Sequence, residues 1–357
     1  MAEQSILYLW GMEHMVIYPK ADILRRTKTR HGETKLGERV ACISDANNWA
    51  AELASSPAQF VVLGIPEDIG VRSNYGRGGA YAAWKPSLDF LINMQSNAFL
   101  QGDELLVLGH IDCADLMEQA ATLDFKAEHD VQLARELVAQ LDVRVQQIIS
   151  TIIAAGKIPV VVGGGHNNAY PLIAGAHAAL QQMVNVINCD PHSDLRPLQG
   201  RHSGNGFHYA LHAGYLDHYA VFGLHESYNI YSALDLFEQH PDKLTYETYD
   251  DIFVRESINY FDALRRCMDF VAGKPCGIEV DLDAIQNVPV SARTPSGMLP
   301  VDVRKFVWHC AENLQPAYLH IAEGAPVLAH KQVDNKTGKL VAYLITDFVK
   351  ACLQKRM

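Results

Sequence analysis

Six side chains able to bind hard metal ions fall in three short strings: His166 in GGGHNNAYP, Asp190, His192 and Asp194 in NCDPHSDLRP, and Asp281 and Asp283 in EVDLDA. Two imidazoles and four carboxylates carry too few neutral nitrogens and too much negative charge for a single zinc, but they suit a pair of hard divalent cations such as Mn2+. Two such ions about 3.5 to 4 Å apart can share a water and lower its pKa towards neutrality, so the chemistry implied is hydrolysis by hydroxide at physiological pH. Carboxylates are the natural bridges, because they reach both ions with separate oxygens whereas imidazole ligates through one nitrogen.

Spacing explains how these residues could converge. Side chains two apart on an extended segment point to the same side, which would align Asp190, His192 and Asp194 in one row and Asp281 and Asp283 in another. The runs VNVIN and CGIEV that precede these strings, and KIPVVV before the glycines, have the composition of central parallel strands. In open α/β sheets ligands bind beyond the carboxyl ends of strands, and all three strings lie there. The glycines before His166 let the backbone turn sharply and bring the imidazole into the crevice. A phosphate cradle is the other reading of a glycine-rich strand end, but the P-loop lysine and Ser/Thr are missing, and Asn167 and Asn168 follow the histidine.

From residue 60 onward β-type runs alternate with amphipathic stretches, which predicts a mostly parallel sheet with helices on both faces. Strands are expected over 60–64, 105–108, 158–162, 184–188, 220–224, 277–282 and 318–321, with a short one near 244–249. Helices are expected over 131–155, closed by Gly156 in the C-terminal capping position, and over 169–182, 258–271, 301–313 and 340–353. Residues 1–55 read as a less regular extension with a helix over 45–54, and their basic stretch RRTKTRHGETK as a solvated surface. With 357 residues, 48% of them hydrophobic, the chain reads as one α/β domain over 1–357.

A formal charge of −11 disfavours nucleic acid and anionic membranes as partners. No basic leader precedes an apolar core and no run reaches the roughly 18 to 20 apolar residues of a membrane span, so a soluble cytoplasmic protein is expected. Seven cysteines, an odd number without a C-x-x-C pair, argue for reduced thiols rather than a disulfide framework or structural zinc. Cys189 and Cys276, which precede metal strings, read as core filler.

GGGH, D-x-H-x-D and D-x-D in this order resemble the three signatures of the arginase, agmatinase and formimidoylglutamase superfamily, over about residues 60–326. That resemblance implies a three-layer α-β-α fold with a parallel, eight-stranded sheet, two Mn2+ per chain, and hydrolysis of a C–N bond in a guanidino or formimidoyl group. It further implies that one ion is held by His166, Asp190, Asp194 and Asp281, and its partner by Asp190, His192, Asp281 and Asp283, with Asp190 and Asp281 as bridges. Relatives are often trimers or hexamers, so a homo-oligomer is expected.

Within the superfamily the chain is most similar to formimidoylglutamases, which convert N-formimidoyl-L-glutamate and water into L-glutamate and formamide in histidine degradation. GIPEDIGVRSNYGRGGA at 64–80 and VPVSARTPSGM at 288–298 carry that likeness. A substrate with two carboxylates calls for cationic donors, and Arg196, tethered to Asp194, is the first choice, with Arg72, Arg77 and Arg293 as further candidates. HSGNGFHYA resembles the arginase S-G-N-x-H loop with one residue inserted. By that likeness Ser203 and Asn205 contact the substrate's carboxylate, and Asp194 or His208 protonates the leaving nitrogen. The chain departs from most relatives at Gln286 and Asn287, where they have aspartate and proline. Asp302 stands where arginases place a glutamate, as a substrate contact or a helix cap, and Glu323 resembles a structural strand-end acid. Two alternatives accompany this reading: a guanidino-substrate hydrolase that releases urea, and a metal-binding sensor without turnover.

Overall fold

The computed structural model describes residues 14–328 and 335–355. Residues 1–13 of the expected N-terminal extension lie outside the described residues. Nine strands form one sheet: β1 (Met15–Ile17), β2 (Phe60–Gly64), β3 (Leu105–Ile111), β4 (Ile158–Val162), β5 (Val184–Cys189), β6 (Leu216–Leu224), β7 (Leu244–Thr248), β8 (Pro275–Asp281) and β9 (Gln315–Ala322). Their spatial order is β1-β3-β2-β4-β9-β8-β5-β6-β7. β2 to β9 run parallel, and β1 adds an antiparallel edge on β3.

The strands are buried on both faces, which is why FVVLG and VNVINC read as unbroken runs rather than alternations. Alternation shows instead in which face each residue serves. Val160 and Val162 join one apolar core, with the helices Trp84–Ile92, Pro300–Asn313 and Asn335–Gln354, while Val161 joins the other, with Glu128–Ala154 and Ala169–Leu180. The expected three-layer fold with about eight parallel strands is what forms, and β1 is an addition from the N-terminal extension.

Glu128–Ala154 ends in a Schellman motif: Gly156, at φ 73°, donates to Ile153 O at 2.8 Å, and Lys157 to Ile152 O at 3.2 Å. It is the one helix among the described residues long and apolar enough to cross a membrane. Its apolar stripe, including Val138, Leu141, Val145 and Ile152, is buried against the protein's own core. The expected helix over 45–54 is a short 3-10 turn, Ala46–Asn48, capped by Asp45, followed by Trp49–Ser55. Trp84–Ile92, Ala114–Ala121, Gly206–His212 and Tyr231–Gln239 were not foreseen, since two or three turns give periodicity little to act on. Pro86 also disguises the first of them, although proline is tolerated in a helix's first turn.

After β4 the chain does not lay down a neighbour. It crosses to β5, and β8 and β9 later fill the space between. The carboxyl ends of β4, β9, β8 and β5 thus come together where the strand order reverses, the place where doubly wound sheets bind ligands.

Candidate metal centre

Each of these four strand ends contributes to one cluster. After β4, Gly163 and Gly164 take φ of 87° and 73°, and a Cβ on Gly164 would stand 2.3 Å from Asn168 Nδ2 and 2.8 Å from Glu67 Oε1. Only glycine fits that path. Glu67, fully buried, holds the turn: its Oε1 accepts from Gly165 N at 2.9 Å and from the Asn168 amide at 2.6 Å, and its Oε2 from Ile69 N at 2.7 Å. Glu323, just past β9, accepts from the His166 backbone N–H at 2.9 Å. His166 is therefore fixed from both neighbouring strands.

The two aspartate strings converge differently from the expected extended rows. Asp190 Oδ1 accepts from His192 N at 2.7 Å, and Asp281 Oδ1 from Asp283 N at 2.7 Å, so each string folds back in an Asx turn as its strand ends. Leu282–Ala284 is a 3-10 turn, and Asp194 adopts φ 49°, a left-handed conformation that Asp tolerates better than most side chains. Strand alternation does not extend beyond the sheet, and local side-chain-to-backbone bonds take over its work.

His166 Nδ1 lies 3.0 Å from Asp190 Oδ2, 3.1 Å from Asp194 Oδ2 and 3.1 Å from Asp281 Oδ2. Despite these distances, none of the three oxygens meets hydrogen-bond geometry with that nitrogen. One nitrogen and three carboxylate oxygens mutually within 4.8 Å make a donor set that a hydrogen cannot satisfy and a cation can. Asp190 also faces the second imidazole: its Oδ1 is 3.4 Å from His192 Nδ1, and Asp283 Oδ2 is 3.9 Å from the same nitrogen. Asp190 thus presents one oxygen to each histidine, and Asn188 Nδ2 steadies the oxygen on the His166 side at 3.0 Å. Tyr228 stacks on His192, with ring centroids 5.5 Å apart, and His225 stacks on Tyr228 at 4.9 Å.

The electrostatics show the surplus of negative charge. Burial, then repulsion from Asp283 and Asp190, raises Asp281 well above the usual carboxylate range. Burial also lifts Asp283 to about 6, against the pull of His192, and burial with Asp190 raises Asp194. Burial opposes charge on the imidazoles, yet the surrounding carboxylates raise His166 well above its ordinary value, and Asp190 above all raises His192 to about 9. Asp190 moves the other way, because His166 and His192 outweigh its burial. Hard oxygen donors, two imidazoles and this charge excess fit a pair of Mn2+ ions.

The substrate side is only partly as expected. Arg196 and Ser203 line the cleft over the cluster, together with Asn74, Tyr228, Asn229 and Glu323. Asn74 Nδ2 donates to Ser203 Oγ at 3.2 Å. Asn205 lies off the cleft wall and forms the core of its loop. It accepts from Arg201 and from His202 N at 2.8 and 3.1 Å, and donates to the carbonyls of Pro197 and Gly200 at 3.2 and 2.9 Å. His208 is absent from the cleft wall; it lies on the helix Gly206–His212, and its Nδ1 is 2.9 Å from Arg196 O. Arg72 lies over the Phe125 ring at 3.9 Å and points its guanidinium at Ala120 O, away from the cleft. Arg77 donates to Ser291 O at 2.6 Å and so clasps the 288–298 loop rather than a substrate. Arg293 is exposed and also off the cleft wall. Asp302 proves to be a helix cap: it accepts from Leu299 N at 3.2 Å and pairs with Lys305 at 3.0 Å.

The model of the Arginase family matches residues 58–350. The chain belongs to the arginase family. Among curated relatives of this arginase-family chain, the formimidoylglutamase of Hahella chejuensis is 30% identical over 338 residues, covering 90% of this chain and 94% of its own. That of Macrococcus caseolyticus is 27% identical over 239 residues, covering 64% and 71%. Two solved structures share the fold: formimidoylglutamase from Bacillus subtilis, with TM-score 0.69 and 18% identity over 93% of this chain and 96% of that one, and Trypanosoma cruzi formiminoglutamase with Mn2+, with TM-score 0.66 and 21% identity over 85% and 97%.

Sequence reasoning missed Glu67 and Glu279. Glu67 sits in the GIPEDIG segment, quoted for its glycines and arginines, where nothing distinguishes a buried acid from a surface one. Glu279 was signalled: it stands two residues before Asp281 on β8, on the same face, inside EVDLDA.

Proposed function

We propose that this chain is a dinuclear-manganese hydrolase that converts N-formimidoyl-L-glutamate and water into L-glutamate and formamide. The observation that carries the chemistry is Asp190, whose two carboxylate oxygens face His166 and His192 separately. His166, Asp190, Asp194 and Asp281 would hold one Mn2+, and Asp190, His192, Asp281 and Asp283 the other. Bound ions would supply an acidified water as nucleophile and a positive counter-charge for the attacked formimidoyl carbon.

The chain's own groups bind and orient the substrate. Arg196, exposed at the cleft wall and without an acidic partner among the described residues, is placed to take a substrate carboxylate in a bidentate pair, and Ser203 beside it to add a hydroxyl donor. Asp194, the least enclosed carboxylate around His166, lines the same cleft and is suited to carry a proton on Oδ to the departing glutamate nitrogen. The choice of a formimidoyl over a guanidino substrate rests on the formimidoylglutamase relatives and on the two loops, 64–80 and 288–298, that Arg77 ties together at the cleft. An odd number of cysteines without a C-x-x-C pair supports residence in the reducing cytoplasm, and we place the enzyme there as a homo-oligomer, with residues 1–357 as one catalytic unit.

The test is a product assay on manganese-loaded protein offered formimidoylglutamate, arginine, agmatine and guanidino acids. Formamide from the first alone is expected. Urea as the only product would overturn the substrate, and no turnover of any would favour a sensor.

A further inference from the structure

Behind His166, on the side away from the cleft, lies a carboxylate that the proposed chemistry leaves without a task. Glu279 is on β8, its residue partner on β9 is His320, and both side chains have no solvent exposure. Glu279 Oε1 accepts from Tyr318 Oη at 2.9 Å, and Oε2 is 2.7 Å from His320 Nδ1. The far nitrogen of His320 lies 3.3 Å from Gly163 O, at the start of the glycine turn that carries His166. Removing a carboxylate this completely from water is unfavourable unless its surroundings use the charge. The same Oε2 is 3.4 Å from His166 Nε2.

A buried neutral imidazole carries one ring hydrogen, and which nitrogen holds it is set by the acceptor the other face meets. On Nδ1 that hydrogen would occupy the space among Asp190, Asp194 and Asp281, where a cation must sit. Nε2, like Nδ1, has no hydrogen-bond partner, but Glu279, whose Oε2 is 3.4 Å away, is the one acidic side chain within ion-pair distance of it among the described residues, so a hydrogen on Nε2 is drawn by that charge. We propose that Glu279, oriented by His320 and Tyr318, is a positioning residue that keeps the hydrogen of His166 on Nε2 and so leaves Nδ1 bare for the metal ion. Register makes this possible: the spacing of two from Asp281 puts Glu279 on the same face of β8, one step deeper into the sheet. The pair His320–Glu279 then connects the ligand to the turn that bears it, through Gly163 O.

This inference rests on the metal-centre reading, and its test separates the two. Mn2+ affinity of the full-length protein is measured by competition with a chromophoric chelator, for wild type and Glu279→Gln, with thermal melts on the same samples. An amide can offer His166 Nε2 a donor, so folded Glu279→Gln is expected to weaken one of the two ions 10- to 100-fold, with turnover recovering as Mn2+ is raised. Unchanged affinity overturns the proposal, as does an equal loss at both ions, which a general loosening of the site would give. Should Glu279→Gln not fold, His320→Asn keeps the carboxylate while removing the ring that orients it. The same one-ion loss, smaller in size, is expected there, and unchanged affinity overturns the proposal. A wild type that binds no Mn2+ would overturn the metal-centre reading instead.

Discussion

Stripping the metal should make the protein lose stability as pH rises, and His192 gives the size of one part of the effect, since His166 and Asp281, both raised well above their ordinary values, act in the same direction. Its pKa is raised from 6.5 to about 9 in the folded chain, so the stability it contributes is fully present below pH 6.5 and is lost as pH climbs through 9. At about 1.4 kcal/mol per unit, that shift amounts to about 3 kcal/mol. The ring keeps 28% of its side-chain surface in solvent, so screening makes this figure a ceiling. The raised pKa of Asp283, about 6, acts with the same sign but at lower pH, between its ordinary value and 6. For a chain of 357 residues the unfolding entropy is about 0.75 kcal/mol per degree, so the His192 share alone should lower the melting temperature of chelated protein by up to about 4 °C between pH 6.5 and 9. Saturating Mn2+ should reverse the trend over that window, since ligands must shed protons to bind it. Differential scanning calorimetry on chelated and loaded protein, with His192→Asn as control, reads both. A chelated melt that is flat or rising across this range, or one in which His192→Asn falls as far as wild type, would refute the reasoning.

Asp281→Ala should abolish turnover and remove most bound manganese; turnover that survives, by product assay and elemental analysis, would show that the two ions do not share this carboxylate. Arg196→Met should raise KM by about 10- to 100-fold with kcat little changed, the loss of a charged hydrogen-bond donor worth about 1.5 to 3 kcal/mol. Arg72→Met, whose guanidinium packs on Phe125, should leave KM where it is, and steady-state kinetics on both variants decide between the two arginines. Gly164→Ala forces a Cβ against Asn168 and Glu67 at a positive φ and should cost on the order of 3 kcal/mol in denaturant melts; a melt matching wild type would mean that the turn can relax.

The metal strings were legible because their chemistry is rare and their positions, past Val- and Ile-rich runs, coincide with strand ends. What brings them together was not, because an Asx turn at Asp190 and another at Asp281 depend on backbone amides that carry no sequence signature beyond the aspartate itself. Seven of the eight parallel strands could be read from their apolar runs, while β7, LTYET, has no such run; the three residues of β1 could not be read, being too few to display a period. The arginines divided by their partners. Arg77 and Arg72 are taken by carbonyls and an aromatic ring that lie far away in sequence, and charge alone does not reveal such engagements. At His208 and Asn205 the loop's composition resembles that of arginases, but its polar groups bind the loop's own backbone, which composition does not reveal.

The strand order has a consequence for how such a molecule is born. β2, β3 and β4 are laid down together, as are β5, β6 and β7, yet no pairing joins the two blocks until β8 and β9 insert between them. A nascent chain that has emerged only as far as β7 carries two sheet fragments, each with an apolar inner edge bare of partners, and such edges invite aggregation. Closing the seam and completing the cluster are then one event, because Asp281 and Glu323 arrive on the two strands that close it. A chain cut before β8 therefore holds neither the closed sheet nor the full set of cluster residues.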